Sequence, residues 1–129
     1  MSKSIFISTV YEDKQKIDNV KSWAESKRLG DIEITHESEE DKRPLGKQAV
    51  KQHLEDKIRK CSAVVVLVGD DTHNHEWIEA EVELAKKFHK PIIPVRLPNT
   101  TGGIPEILKN HTEINFKLKS LKKTLDSIH

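Results

Sequence analysis

Glu81 is the residue whose position in this sequence most strongly predicts chemistry. If residues 77–88 form a helix with about 100° per residue, Glu81 projects near the middle of an apolar arc and away from the charged face. The arc consists of Trp77, Ile78, Val82, Leu84, Ala85 and Phe88, and the charged face consists of Glu79, Glu83, Lys86 and Lys87. A carboxylate on an apolar arc loses hydration, so it pairs with a cation, lies at a cleft edge or does chemistry.

For Glu81 considered alone, an ion pair with a Lys or Arg at the core boundary is the simpler explanation. A catalytic role therefore needs support from the rest of the chain, beginning with the elements that position this helix.

Apolar runs alternate with helical patterns along the chain. Predicted strands cover residues 5–8, 32–35, 63–68, 92–97 and, more briefly, 114–116. Helical spacing of apolar residues predicts helices near residues 17–24, 50–61, 77–88 and 118–128, with a short one near 104–108. Gly30 is placed to end the first helix, and Pro94 predicts a bulge or an exposed edge in the fourth strand. This order predicts an α/β fold, in which a parallel sheet of about five strands is covered by helices on both faces.

In such a sheet, ligands bind beyond the carboxyl ends of the strands, near the topological switch point. The segments delivered there are residues 8–13, 36–47, 69–77 and 97–103. Glu81 lies one turn into the helix that follows the third strand, so we expect it to face this crevice from below.

Length and composition limit the class of protein. A chain of 129 residues predicts one domain over residues 1–129. Its 22 Lys and Arg and 21 Asp and Glu give a net charge of +1, without the basic stripe of a nucleic-acid-binding protein. Cys61 is the only cysteine, which excludes a disulfide framework. No signal-peptide pattern is present, and the longest apolar run is too short to cross a bilayer, so we expect a cytoplasmic protein without a membrane partner.

The common phosphate-binding, hydrolase and zinc motifs do not occur. His73 and His75 are weak indications of a metal site, so no metal is expected. Asp70 and Asp71, with the acids at positions 12 and 13, raise the alternative of a receiver-like phosphoacceptor domain. Their spacing from the strands suits that role poorly, and solvated acids or helix caps are the simpler explanation.

Four sequence boxes in order resemble those of TIR domains. They are residues 5–8 with Tyr11-Glu12-Asp13, residues 41–46, residues 58–68, and Trp77-x-x-x-Glu81. The similarity runs from residue 5 to about residue 97 and is greatest to the single-domain TIR-like proteins of bacterial Thoeris-type antiphage defence. It implies a flavodoxin-like, three-layer αβα sandwich. Thr9 and Gly69 depart from the residues that are common in this family, which bears on substrate contacts.

The resemblance implies that Glu81 is catalytic and that NAD⁺ is the substrate, with no further cofactor. Nicotinamide leaves NAD⁺ as a neutral molecule, so one carboxylate suffices to stabilise the oxocarbenium-like transition state. Trp77 is expected either to pack against the substrate or to belong to the core. The remaining expected substrate-binding residues are Ser8, Thr9, Tyr11, Lys42, Arg43, Asp71 and Thr72.

The leading hypothesis is therefore a TIR-type NAD⁺ glycohydrolase or cyclase that produces ADP-ribose or a cyclic isomer as a defence signal. The resemblance also implies self-association on activation and a separate effector protein that reads the signal. The alternatives are a non-catalytic TIR-like interaction or nucleotide-binding module, in which Glu81 is only part of an ion pair, and the receiver-like domain.

Overall fold

The predicted alternation of strands and helices is confirmed in a computed structural model, which describes residues 3–8, 15–26, 32–36, 47–69, 76–98, 100 and 108–127. The strands are β1 (Lys3–Ser8), β2 (Ile32–His36), β3 (Ala63–Val68), β4 (Ile92–Arg96) and β5 (Ile114–Asn115). The helices are α1 (Gln15–Glu25), α2 (Lys47–Lys60), α3 (Glu76–Lys87) and α4 (Leu118–Asp126). Gly30, most of the predicted 104–108 helix and residues 37–46 lie outside the described part of the chain.

The five strands form one parallel sheet in the order β2-β1-β3-β4-β5. This is the flavodoxin-like order, and the chain reverses its direction across the sheet between β1 and β3. After β1 the chain continues to a helix on one face of the sheet, and after β3 it continues to a helix on the other face. A crevice is therefore expected between the carboxyl ends of these two strands.

The sheet separates two apolar cores. In β1, Ile5 and Ile7 pack with residues of α1 and α4, whereas Phe6 packs with residues of α2 and α3. This alternation follows from the two-residue period of a strand. The structure is therefore the predicted three-layer αβα sandwich, and β1 and β3 are buried on both faces.

Pro94 does not produce the expected bulge. It pairs in regular register with Val66, and its side chain is buried. Leu97 donates its N–H to the carbonyl of Val68, so alternate residues of β4 direct their N–H groups toward β3 and Pro94 faces the opposite side. On that side β5 begins to pair only at Val95. The missing N–H of proline therefore removes no hydrogen bond from the sheet. The expected exposed edge is present at Pro94 only in the sense that no strand pairs with its main chain on the β5 side.

Helix α3 ends in a Schellman motif. Lys90 donates its N–H to the carbonyl of Ala85, and His89 donates its N–H to Lys86. His89 occupies the left-handed region at φ 56°, a position that usually carries glycine. The motif closes the end of the helix and directs the chain into β4.

Among the helices described, none is long and apolar enough to span a membrane.

Candidate functional site

Glu81 is fully buried on α3. Its side chain is 0% exposed, and the apolar residues that share its face of the helix, Ile78, Val82 and Ala85, are equally inaccessible. Glu79, Glu83, Lys86 and Lys87 are exposed on the other face. The prediction from helical periodicity is therefore confirmed, and Glu81 lies deeper than the core boundary that an ordinary surface ion pair would occupy.

Ser8 meets this carboxylate. Its Oγ donates a hydrogen bond of 3.0 Å to Oε1 of Glu81, and both side chains are completely buried. Ser8 ends β1 and pairs with Val66 of β3. Since Phe6 faces α2 and α3, Ser8 two residues later faces the same helices. The strand thus directs the hydroxyl toward α3.

The contact lies at the topological switch point. Ser8 is at the carboxyl end of β1, and α3 is the helix that follows β3, so the pair spans the two strands at which the sheet reverses direction. Ligands of open α/β sheets bind above this junction. Glu81 is therefore brought to the base of the expected crevice, where strand β1 and helix α3 adjoin.

The surroundings determine what the carboxylate can do. Its helical neighbours are apolar and inaccessible to water, so screening of a charge beside it is weak. A carboxylate in such a site stabilises a developing positive charge more strongly than one in water. The arrangement suits a reaction whose transition state is cationic.

Of the other predicted site residues, Trp77 lies in the first turn of α3, one helical turn before Glu81, and its side chain is outside the described part. A further six fall outside the described residues altogether: Thr9, Tyr11, Lys42, Arg43, Asp71 and Thr72. Of the predicted set, the structure thus brings together Ser8 and Glu81. Their contact was not itself predicted, although strand alternation from Phe6 was an available signal for it.

Other reactive groups in the described part lie elsewhere or are inert. No group of three or more His, Cys, Asp or Glu residues that could hold a metal occurs within the ranges described. Cys61 precedes β3 at the opposite end of the sheet, and its Sγ donates to the carbonyl of Ile58 at 3.1 Å. Burial raises the pKa of the Cys61 thiol above its usual 9.0, which disfavours the nucleophilic thiolate.

Comparison with protein families matches residues 6–102 to a family described as the TIR-like domain of the Thoeris protein ThsB. The match includes Ser8, Trp77 and Glu81. Comparison with curated proteins finds no significant match.

Solved structures with the same fold include three proteins of different kinds. The TIR domain of the Toll-related receptor TRR-2 from Hydra magnipapillata has a TM-score of 0.60 at 17% identity, covering 86% of this chain and 82% of that one. The CMP N-glycosidase BcmB from Clostridium botulinum has a TM-score of 0.61 at 18% identity, covering 96% and 99%. A 2-desoxiribosyltransferase from Leishmania mexicana has a TM-score of 0.64 at 12% identity, covering 97% and 98%. At these identities the likeness extends to the fold alone.

Proposed function

Because this chain belongs to the family of Thoeris ThsB TIR-like domains, we propose that it cleaves the bond between nicotinamide and ribose in NAD⁺. The observation that carries this proposal is the fully buried Glu81 carboxylate, held by Ser8 at the switch point of the sheet. A buried charge lowers the stability of the fold, and proteins keep such destabilising groups mainly at functional sites.

The reaction needs one well-placed carboxylate. The C1′–N1 bond of NAD⁺ breaks, and its electron pair leaves with nicotinamide, which departs as a neutral molecule. Glu81 stabilises the positive charge that develops at C1′ and the ribose ring oxygen, as the carboxylates of glycoside hydrolases do. Water then forms the new C1′–O bond and releases a proton, which gives ADP-ribose. Attack by a hydroxyl or ring nitrogen of the ADP-ribosyl group itself would give a cyclic isomer.

Two of the fold neighbours lend support through the chemistry in their names. One is an N-glycosidase of CMP, and the other transfers a deoxyribosyl group. Both names describe reactions at a sugar carbon. They support the proposal by showing that a sheet of this fold accommodates chemistry of this class.

The remaining roles follow from the same proposal. Trp77 packs against the substrate, and Thr9, Tyr11, Lys42, Arg43, Asp71 and Thr72 contribute substrate contacts. The product is a messenger for a separate effector protein in cytoplasmic antiphage defence, and self-association accompanies activation. Glu81 is 0% exposed, so NAD⁺ reaches it only when neighbouring side chains move. A conformational step on activation would provide that access.

The same complete burial favours one alternative, a non-catalytic TIR-like interaction module in which Glu81 is a structural residue. The two hypotheses differ in what happens when the carboxylate is replaced by an amide of the same shape.

The test is release of nicotinamide from NAD⁺ by concentrated protein, compared among wild type, Glu81→Gln and Glu83→Gln. Glu83 is exposed on the same helix, so its substitution is a matched control. We expect Glu81→Gln to lose about 10²–10³-fold in turnover, and Glu83→Gln to remain within about twofold of wild type. Each protein is also assayed in extract from phage-infected cells, which supplies a trigger if one is needed. Equal turnover in wild type and Glu81→Gln, or none in wild type under both conditions, would favour the interaction module.

A further inference from the structure

We propose that Ser8 is a positioning residue, which orients the Glu81 carboxylate for catalysis instead of binding substrate itself. This inference rests on the proposed function and replaces the substrate-binding role expected for Ser8 from the family resemblance. It is carried by the direction of the hydrogen bond, the burial of both groups and the position of Ser8 on an interior strand of the sheet.

The hydroxyl of Ser8 has a single proton to donate. In the structure that proton is directed to Oε1 of Glu81 across 3.0 Å, and no part of Ser8 is exposed. A serine that donates to the carboxylate does not at the same time donate to a ribose hydroxyl. An ionised carboxylate, in contrast, offers about four acceptor sites, so Glu81 accepts from Ser8 and still has capacity for substrate hydroxyls.

Ser8 is held more rigidly than Glu81, so the hydrogen bond fixes the position of Glu81 and not that of Ser8. Ser8 belongs to β1, which pairs with β2 on one side and β3 on the other. Its hydroxyl is separated from a fixed main chain by a single side-chain torsion. Glu81 has three side-chain torsions, and a carboxylate must be held within about 0.5 Å of its productive position. The sheet therefore fixes the hydroxyl, and the hydroxyl fixes the carboxylate.

The hydrogen bond is of the stronger kind. An acceptor that carries a charge roughly doubles the strength of a hydrogen bond, and the absence of water around this pair increases it further. Loss of the Ser8 hydroxyl leaves NAD⁺ its own contacts but removes the constraint that this hydrogen bond places on the Glu81 carboxylate. The expected effect is thus on the rate of the chemical step and not on substrate affinity.

The first experiment compares Ser8→Thr with Ser8→Val in the nicotinamide-release assay. The two replacements have nearly the same shape, both suit a strand, and only threonine retains the hydroxyl. We expect kcat to be about 10–100-fold lower in Ser8→Val than in Ser8→Thr, with KM the same within about twofold. A KM that rises in Ser8→Val while kcat stays unchanged would mean that Ser8 binds substrate, and would overturn the proposal.

The second experiment asks whether Ser8 acts through Glu81. In a Glu81→Gln background, Ser8→Ala is expected to change residual turnover by less than about twofold, because the carboxylate that Ser8 positions is already absent. NAD⁺ binding to Glu81→Gln, measured by calorimetry, should be unaffected by Ser8→Ala. A further loss of turnover or of binding in this background would contradict a positioning role.

A third measurement separates failure of this inference from failure of the proposed function. The urea unfolding midpoints of wild type, Ser8→Ala, Glu81→Met and the double variant form a double-mutant cycle. This cycle measures the interaction between the two side chains and does not depend on enzymatic activity. We expect Ser8→Ala to lower the midpoint less in the Glu81→Met background than in wild type. Additive shifts would overturn the contact and with it the positioning role. A coupled cycle in a protein without NAD⁺ turnover would count against the proposed reaction and leave the contact intact.

Discussion

Ser8 and Glu81 are 73 positions apart in the sequence, and their side chains meet at 3.0 Å between the end of β1 and helix α3. Both are fully buried, so the fold retains a hydrogen-bonded carboxylate where its neighbours along the helix are apolar. Burial of a charge is costly even when the charge is hydrogen-bonded. The pair therefore has the character expected of a site that is kept for function at the expense of stability.

The first prediction concerns the loss of stability caused by the buried pair. Replacing both members with apolar groups, in the double variant Ser8→Ala with Glu81→Met, removes the buried carboxylate and leaves no orphaned hydroxyl. We expect the free energy of unfolding to stay equal to that of wild type or to rise by about 1–3 kcal/mol, measured by urea titration. All NAD⁺ turnover should be lost in the same protein.

The control for this variant is Glu79→Met, at an exposed position on the opposite face of α3. Its free energy of unfolding should change by less than about 0.5 kcal/mol. A double variant several kcal/mol less stable than wild type would instead indicate that Glu81 is an essential structural partner in the core.

Features that depend on local periodicity were predictable from the sequence. The run of six apolar residues in β3 and the spacing along α3 identified a central strand and a helix with Glu81 on its buried face, and both were confirmed. A parallel sheet covered on both faces followed from the alternation of elements and the handedness of their connections. Each of these rests on a pattern within a few neighbouring residues.

Features that depend on distant partners were not predictable in the same way. The outcome at Pro94 depends on how far β5 extends along β4, which the residues around Pro94 do not encode. The left-handed conformation of His89 is needed to close α3 before β4, and histidine is a much weaker signal for it than glycine. The contact between Ser8 and Glu81 required the relative placement of a strand and a helix.

The second prediction concerns His89. A side chain with a Cβ atom in the left-handed region is strained by about 1–2 kcal/mol, and glycine relieves this strain. We expect His89→Gly to raise the free energy of unfolding by about 0.5–1 kcal/mol, after allowing for the greater entropy of glycine in the unfolded chain. The matched control is His89→Ala, which removes the imidazole but keeps the Cβ atom and should leave stability nearly unchanged. Stabilisation of equal size by both variants would assign the effect to the imidazole instead.

The third prediction concerns the ion pair between Arg96 and Glu113, which joins the end of β4 to the residue before β5. The nitrogen and oxygen are 2.6 Å apart, and the side chains are only 23% and 32% exposed. Since β5 pairs with β4 through just two residues, this ion pair is a further link between the two strands. We expect Glu113→Gln to lower the free energy of unfolding by about 1 kcal/mol and to speed hydrogen exchange at the backbone amides of β5, leaving those of β3 unchanged.

The matched control for Glu113→Gln is Asp126→Asn, which removes the pair between Lys122 and Asp126 on α4. That pair has a similar separation of 2.7 Å, but its side chains are 47% and 56% exposed. Water and salt screen it more strongly, so its loss should cost no more than about 0.5 kcal/mol. Addition of 1 M NaCl should reduce the small effect of Asp126→Asn further and leave most of the effect of Glu113→Gln, because partly buried charges are screened less. Equal costs for the two substitutions would mean that burial does not strengthen the Arg96 pair, and that β5 is held by its main-chain hydrogen bonds and by packing against α4.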